Sequence, residues 1–393
     1  MRNIKMDADR DHQPVIYSCQ VESLTPIASD GCMYRETEWH SFFGFVIDSV
    51  ITEKKGLTEI EDKRTRLISW LLREPADGRQ VNLRYVAGQE KGRLQIAVMG
   101  KCKDPSEEKS RRKALTMHEN IACLLESFSV YTIKTIKKTN TLLQLMAPFE
   151  PAEIKTISRE TLTIDTNDGE LTATQPFSFN EKSSLNDLLG MLIRHEKPIL
   201  LDIAFAPVCL GKELRQVAGE VGRAQLEFEI RNPSGHAYLE SYENDICIRR
   251  VIPLPRPSRE GSGERQMALE LMEKQVRSLA AGALIMEMNV ASASAIPSAI
   301  VESIRYDLFG PAGRIKVEDF RGKAMDDIWR DIRFLNIQRL VCRGGMLQNM
   351  VDLYQAKCVF QLPIPDEEGV RGVKAPRGTV RRSQKNGDRA HGS

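Results

Sequence analysis

Apolar residues recur along this chain in two rhythms, one of threes and fours and one of every second position, which predicts helices and strands interleaved. Residues 15–21 read as a first strand, followed by a polar loop through Gly31. In residues 39–51, Phe42, Phe43, Val46, Ile47 and Val50 fall three and four apart, and this spacing predicts a helix. A second helix is expected over residues 59–72, with Ile60, Leu67, Ile68, Leu71 and Leu72 inward, ending at Glu74-Pro75, where proline disfavours a further turn. Residues 81–86 and 93–100 alternate around a glycine-bounded turn, a hairpin signal. Asp104-Pro105-Ser106-Glu107 then offers a cap, a proline at the first helical position and an acid three residues on. The helix it opens carries Ala114, His118, Ile121, Leu125 and Phe128 on one face. Two strands, residues 131–136 and 141–146, are expected to complete a first unit near Pro148.

The second half repeats the mixture. Short strand-like pieces around the turn Asn167-Asp168-Gly169 precede a helix over residues 185–194 and a buried strand over residues 199–206. Helices are predicted over residues 213–228, 266–280 and 297–308, and a strand over residues 284–290. Asn232-Pro233-Ser234-Gly235 and the proline-rich stretch 253–263 punctuate this part, the latter as an exposed crossover or linker. The strands 199–205 and 284–290 share a pattern of one acid inside an apolar run (Asp202 and Glu287), which suggests a sheet that pairs them. The class expected is α+β: two or more sandwich-like lobes with mixed sheets, ferredoxin-like elements among the arrangements this order admits. The divisions are a first lobe over residues 1–150, connecting strands over 151–260, a second lobe over 261–365, and a basic, disordered tail over 366–393.

Composition narrows the function classes. The chain has 393 residues, 41% hydrophobic and 28% charged, enough apolar material for sizeable cores. Net charge is only +2, but from Arg371 onward seven basic residues face one acid, leaving the rest of the chain about −4. The basic body of an autonomous nucleic-acid binder is therefore missing. The eight cysteines are scattered without a C-x-x-C pair, as expected of thiols in a reducing cytoplasm. The N-terminal residues are polar and charged, unlike a secretory signal, and the weakly polar run 278–301 is broken by Glu287, Asn289 and Pro297, so no membrane span is expected.

No phosphate loop can be read: Gly211-Lys212 and Gly322-Lys323 lack the following Ser or Thr and the earlier glycine. Gly261-Ser262-Gly263 is a broken dinucleotide pattern with no strand before it. The six histidines stand apart, so neither a metal centre nor a cofactor is expected, and His118 reads as a core residue of its helix. Asp326, Asp327 and Asp331 resemble a metal-nuclease cluster in spacing, although flanking Arg330 and Arg333 fit a charged surface better. No catalytic residue is assigned. Lys109, Arg111, Arg112 and Lys113 crowd the first turns of their helix, where positive charge opposes the helix dipole. With Lys134, Lys137 and Lys138, and with Arg381 and Arg382 in the tail, they are the candidate nucleic-acid contacts. A solvated face offset by Glu107 and Glu108 is the competing reading.

One phrase is more specific. Phe360-Gln361-Leu362-Pro363-Ile364-Pro365, followed by a glycine-containing turn through Gly369 and Gly372, resembles a segment of HerA-type DNA-translocating ATPases. Phe360 and Leu362 are expected to bury on alternate sides, with the prolines stiffening an exit strand. The preceding hairpin and helix are similar in order to the pre-motor lobes of HerA-type and conjugation-type ATPases. The resemblance implies a subunit of an oligomeric complex in bacterial DNA processing or anti-phage defence, with the chain stopping where a motor would begin and a separate chain supplying the ATPase. The expectation is a non-enzymatic assembly or adaptor subunit, a homo-oligomer or hetero-complex, driven together by faces such as Phe42, Phe43 and Val46. The alternative is a nucleic-acid-binding subunit contacting DNA or RNA.

Overall fold

The computed structural model describes residues 14–26, 33–50, 56–126, 130–166, 169–177, 185–231, 238–243, 246–251, 262–311, 313–337, 349–365 and 369–374. The chain begins with β1 (Tyr17–Pro26), β2 (Met33–Val50), α1 (Gly56–Arg73), β3 (Gln80–Ala87), β4 (Leu94–Asp104), α2 (Glu107–Glu126), β5 (Tyr131–Thr135) and α3 (Thr139–Met146). It continues with β6 (Glu153–Arg159), β7 (Thr161–Thr166), β8 (Gly169–Thr174), α4 (Asn186–Arg194), β9 (Ile199–Val208) and α5 (Gly211–Arg231). Then follow β10 (Tyr238–Glu243), β11 (Ile246–Val251), α6 (Ser262–Leu279), β12 (Ala283–Ser292) and α7 (Ser298–Ile304), which runs into a π turn. β13 (Ile315–Phe320), α8 (Lys323–Arg333), β14 (Met350–Val351) and α9 (Leu353–Val359) complete the order.

Among the described residues ten strands form one sheet in the order β1-β2-β4-β3-β9-β12-β6-β13, with β5 beside β2 and β14 beside β12. The class is α+β. Every ladder among the described residues is antiparallel, so the mixed sheets expected are corrected; the one parallel contact is an isolated bridge between Ser49 and Lys374. β9 and β12 pair along their whole length, as their shared pattern suggested. β3 also pairs with β9, so the first and second lobes share a single sheet across residues 150 and 260. The reason is visible in β3 and β9, whose residues are buried almost throughout: strands apolar on both faces need neighbours on both edges and layers above and below.

One face carries the main core. Phe43, Phe45, Leu83, Tyr85, Val98, Leu201, Ile203, Met288 and Val290 meet the buried residues of α1, α2, α4, α7 and α9. On the opposite face α3 sets Leu142, Leu145 and Met146 against Phe42, Ala97 and Met99, while α8 sets Ile328, Trp329 and Ile332 against Val86, Leu200 and Ala291. An arm is inserted in the chain between β9 and β12, which remain neighbours in the sheet. α5 leaves it, the β10–β11 hairpin follows, and α6 returns; β7 and β8 pack on the helix pair through Ile164, Leu171, Val221, Leu269 and Met272.

Two elements differ from the sequence expectation for one physical reason. Residues 39–51, read as a helix, belong to strand β2. Their apolar run serves both faces of the sheet, Phe43 and Phe45 one and Phe42 and Val46 the other, so threes and fours arise without a helix. Gly44 fits this strand because a Cβ there would lie 2.8 Å from Ile136 Cδ1 and 2.9 Å from Met99 Sδ. Residues 141–146, read as a strand, form α3, with Leu142, Leu145 and Met146 on its buried side. The expected assembly face is corrected too: Phe42 and Phe43 are fully buried inside this chain, on opposite faces of the sheet, and Val46 packs beside Phe42.

Smaller differences follow. Ser106 Oγ accepts the Lys109 N–H at 3.5 Å and Asp104 accepts the Ser106 N–H at 2.9 Å, so Pro105 precedes the α2 cap instead of opening the helix. Residues 361–365 are not a strand, and Phe360 and Leu362 both enter the main core rather than alternate sides. Tyr85 and Tyr131 donate their hydroxyls to the carbonyls of Gln361 and Pro363, which fixes this segment beneath the sheet. The tail expected to be disordered from residue 366 is packed between 369 and 374. Val370 is buried, and the carbonyls of Gly372 and Lys374 accept the N–H groups of Leu94 and Val50. Phe128, Asn167, Asp168, the turn at Asn232–Gly235, residues 253–261, Arg381 and Arg382 lie outside the described residues. Among the described residues no helix is long and apolar enough to cross a membrane.

Candidate functional site

Among the described residues a row of polar groups crosses the α3 and α8 face of the sheet. In register it runs Arg84 (β3), Asp202 (β9), Asn289 (β12), Thr156 (β6) and Glu318 (β13). Sequence alternation in β3 (Gln80, Asn82, Arg84) marked this face as polar, and polar alternation ordinarily signals solvent. Here α3 and α8 cover it, and Arg84, Asn82 and Asp202 are almost wholly buried.

Such burial is tolerated only if every charge and donor is met. Arg84 Nε donates to Asp202 Oδ1 at 2.7 Å, and Asn82 Nδ2 donates to both oxygens of Asp202 at 3.0 and 2.9 Å. Gln80 Nε2 donates to Asn82 Oδ1 at 2.8 Å. Arg84 Nη1 donates to the carbonyls of Leu145 and Met146 at 2.7 and 3.0 Å, and Nη2 donates to the carbonyl of Ile332. Those carbonyls lie in the last turns of α3 and α8, where a helix carries partial negative charge; that of Ile332 also accepts the Leu335 N–H at 3.2 Å. The guanidinium therefore ties two covering helices to the sheet, and Asp202 balances its charge. Further along, Thr156 Oγ1 donates to Asn289 Oδ1 at 2.6 Å and Asn289 Nδ2 donates to Glu287 Oε1 at 2.8 Å. Both oxygens of Asp202 are engaged, which leaves it poorly placed to take a proton from a substrate. The arrangement is a clamp.

The basic residues expected to form one patch lie on elements packed against opposite faces. α2 sits on the main-core face, where Ser110 Oγ reaches Ser41 Oγ at 2.9 Å and His118 stacks on Phe45 with ring centroids 4.6 Å apart. Lys109, Arg111 and Arg112 are exposed on it, whereas Lys113 turns back to Asp104 at 3.0 Å and Asp77 at 3.3 Å. Lys134 stands opposite Val46, on the other face, and pairs with Asp48 at 2.8 Å. Lys137 and Lys138 lead into α3, which also covers that other face. The acids of α8 meet protein partners: Asp327 pairs with Arg330 at 3.1 Å and Asp331 Oδ1 accepts from Asn336 at 3.3 Å, with Asp326 exposed. Among the described residues no group of three or more His, Cys, Asp or Glu converges as metal ligands would.

Two histidines are held neutral by the fold. Burial between Phe43 and Phe45 lowers the His118 pKa to about 4. Burial lowers that of His40 to about 2, with Lys101 and Lys103 adding to the effect. His195 Nε2 lies 2.9 Å from Ser292 Oγ and 3.1 Å from Ser294 Oγ, an arrangement sequence spacing did not reveal because the partners are nearly a hundred residues apart. Ser292 is fully buried and also donates to the Pro198 carbonyl at 3.3 Å, so these contacts close the ends of β9 and β12. No family model matches the chain, and none of the curated proteins does either.

Proposed function

We propose that the chain is a non-enzymatic assembly or adaptor subunit of an oligomeric, HerA-like ATPase complex in bacterial DNA processing or anti-phage defence. The observation that carries this reading is the arm. α5 has 21 residues, about 31 Å of helix. α5 and α6 are inserted between two adjacent strands that already pair fully, so the sheet does not require them. On this helix pair Leu226 and Met267 are 59% and 46% exposed, large apolar side chains open to a partner. Arg84 and Asp202 at the centre of the sheet, by contrast, are engaged with each other and with the ends of α3 and α8. The resemblance to the pre-motor region of HerA-type ATPases supplies the class of complex.

The test is co-expression with the HerA-type ATPase encoded nearest to its gene, followed by mass measurement of the purified complex. A joint complex is expected, lost in the Leu226→Glu, Met267→Glu double variant with an unchanged melting curve. Separate elution of the two chains, or a complex indifferent to the double variant, would count against the reading. A nucleic-acid-binding subunit is the second reading, favoured by the exposure of Lys109, Arg111 and Arg112 on α2. It requires retention on labelled duplex DNA or RNA that weakens steeply between about 50 and about 200 mM salt and is lost in Arg111→Glu, Arg112→Glu.

A further inference from the structure

β13 ends the sheet, pairing with β6 on one side only. Its residues 316–319 are exposed, in contrast to every strand at the centre. Which of its backbone groups face outward follows from the ladder. The Glu160 N–H donates to the Arg314 carbonyl at 3.2 Å, in register with the β6–β13 pairs. Hydrogen-bonded and non-hydrogen-bonded pairs alternate in an antiparallel ladder, so Lys316, Glu318 and Phe320 bond towards β6. Ile315, Val317 and Asp319 then turn their N–H and C=O groups to the free edge. Among the described residues no further backbone partner receives them.

We infer that this edge pairs with β13 of a second copy of the chain, antiparallel about a two-fold axis at Val317. This rests on reading the chain as an assembly subunit and names one of its contacts. In that register Val317 faces Val317 and Ile315 faces Asp319, all outward-facing residues, giving six backbone hydrogen bonds across the axis. Lys316 then stands opposite Glu318 of the second copy, twice, in the non-hydrogen-bonded positions where side chains approach closest. Within one chain Lys316 Nζ already lies 2.7 Å from Glu318 Oε1, so the dimer closes a ring of four alternating charges. The neighbouring symmetric registers bring Glu318 against Glu318, or Lys316 against Lys316 with Arg314 opposite Glu318. Of the three symmetric registers, only the one at Val317 pairs Lys316 with Glu318 twice and opposes no like charges. Edges are commonly blunted by charged side chains, lysine above all, which oppose pairing with an arbitrary strand; here the charges are complementary to those of a second copy. Val317, 37% exposed, gains an apolar partner across the axis.

The experiment is sedimentation velocity on the full chain alone across a dilution series. The wild type is expected to dimerise. Lys316→Glu and Glu318→Lys each place like charges opposite one another twice and are expected to weaken the dimer by about tenfold or more. Mixing these two variants, or combining both substitutions in one chain, restores opposite charges and is expected to restore the dimer. Thermal melts of each variant report whether the monomer remains folded. A chain that stays monomeric at every concentration overturns the proposal, as does a dimer that neither substitution weakens, or one that the combined substitution fails to rescue. Because no ATPase is present, these outcomes leave the co-expression result to stand or fall separately.

Discussion

Arg84 in β3 and Glu318 in β13 lie in one cross-strand row, on the same face of the same sheet, with three strands between them. At the centre the row is covered by α3 and α8, and its charges are matched inside the chain. At the edge Glu318 and its neighbour Lys316 remain about half exposed. The chemistry of the residues is similar; what differs is how many neighbours the strand has. A buried charge must find its partner within the fold, so the centre is specified by internal hydrogen bonds. An edge charge can instead be matched from outside, which makes the edge a place for recognition.

The strongest way to break the contrast is at its buried end. Arg84→Ala leaves Asp202 buried without its cation and the Leu145 and Met146 carbonyls of α3 without their guanidinium donor, and is expected to cost about 3–5 kcal/mol in urea unfolding. Combining it with Asp202→Ala is expected to cost less than the two single variants together, since no charge is then left unpaired. Additive losses would show that Arg84 and Asp202 do not act as one unit.

A middle-sized effect comes from His118. Its folded pKa, about 4, is below the ordinary value of 6.5, so the fold prefers the neutral ring. Its contribution is therefore complete above about pH 6.5 and is lost as the pH falls towards 4. His118→Phe is expected to flatten the loss of stability between about pH 7 and about pH 4.5, read from urea midpoints, while His40 preserves part of the slope. An unchanged slope would mean that protonation elsewhere controls acid unfolding.

At the exposed end the expected change in stability is the smallest. Lys316→Glu removes a solvent-exposed ion pair and should shift the unfolding free energy by no more than about 0.5 kcal/mol. A larger loss would place β13 among the elements that hold the fold together.

Much of the local structure was legible in the chain. The α1 and α2 helices, the β3–β4 hairpin and the pairing of β9 with β12 follow from periodicity, capping residues and turn chemistry. The acids Asp202 and Glu287 stood out as interruptions of apolar runs, and they sit in the polar network. Arg84 did not stand out, because an arginine in an alternating strand looks like any solvent-facing residue. The partners of His195 were equally hidden, since chain spacing carries no record of which strand ends meet.

The sequence by itself determined where the chain forms strongly amphipathic elements, for these depend only on residues a few positions apart. It also determined the α+β class. Tertiary structure alone decided that residues 39–50 are a strand, that residues 139–146 are a helix, and that both expected lobes share one sheet. An apolar run long enough to serve two layers satisfies both periodicities, and only the layers packed on it distinguish them. The same holds for the polar row: identical alternation is a buried clamp where α3 and α8 cover it and an open edge where nothing within the described chain pairs with it.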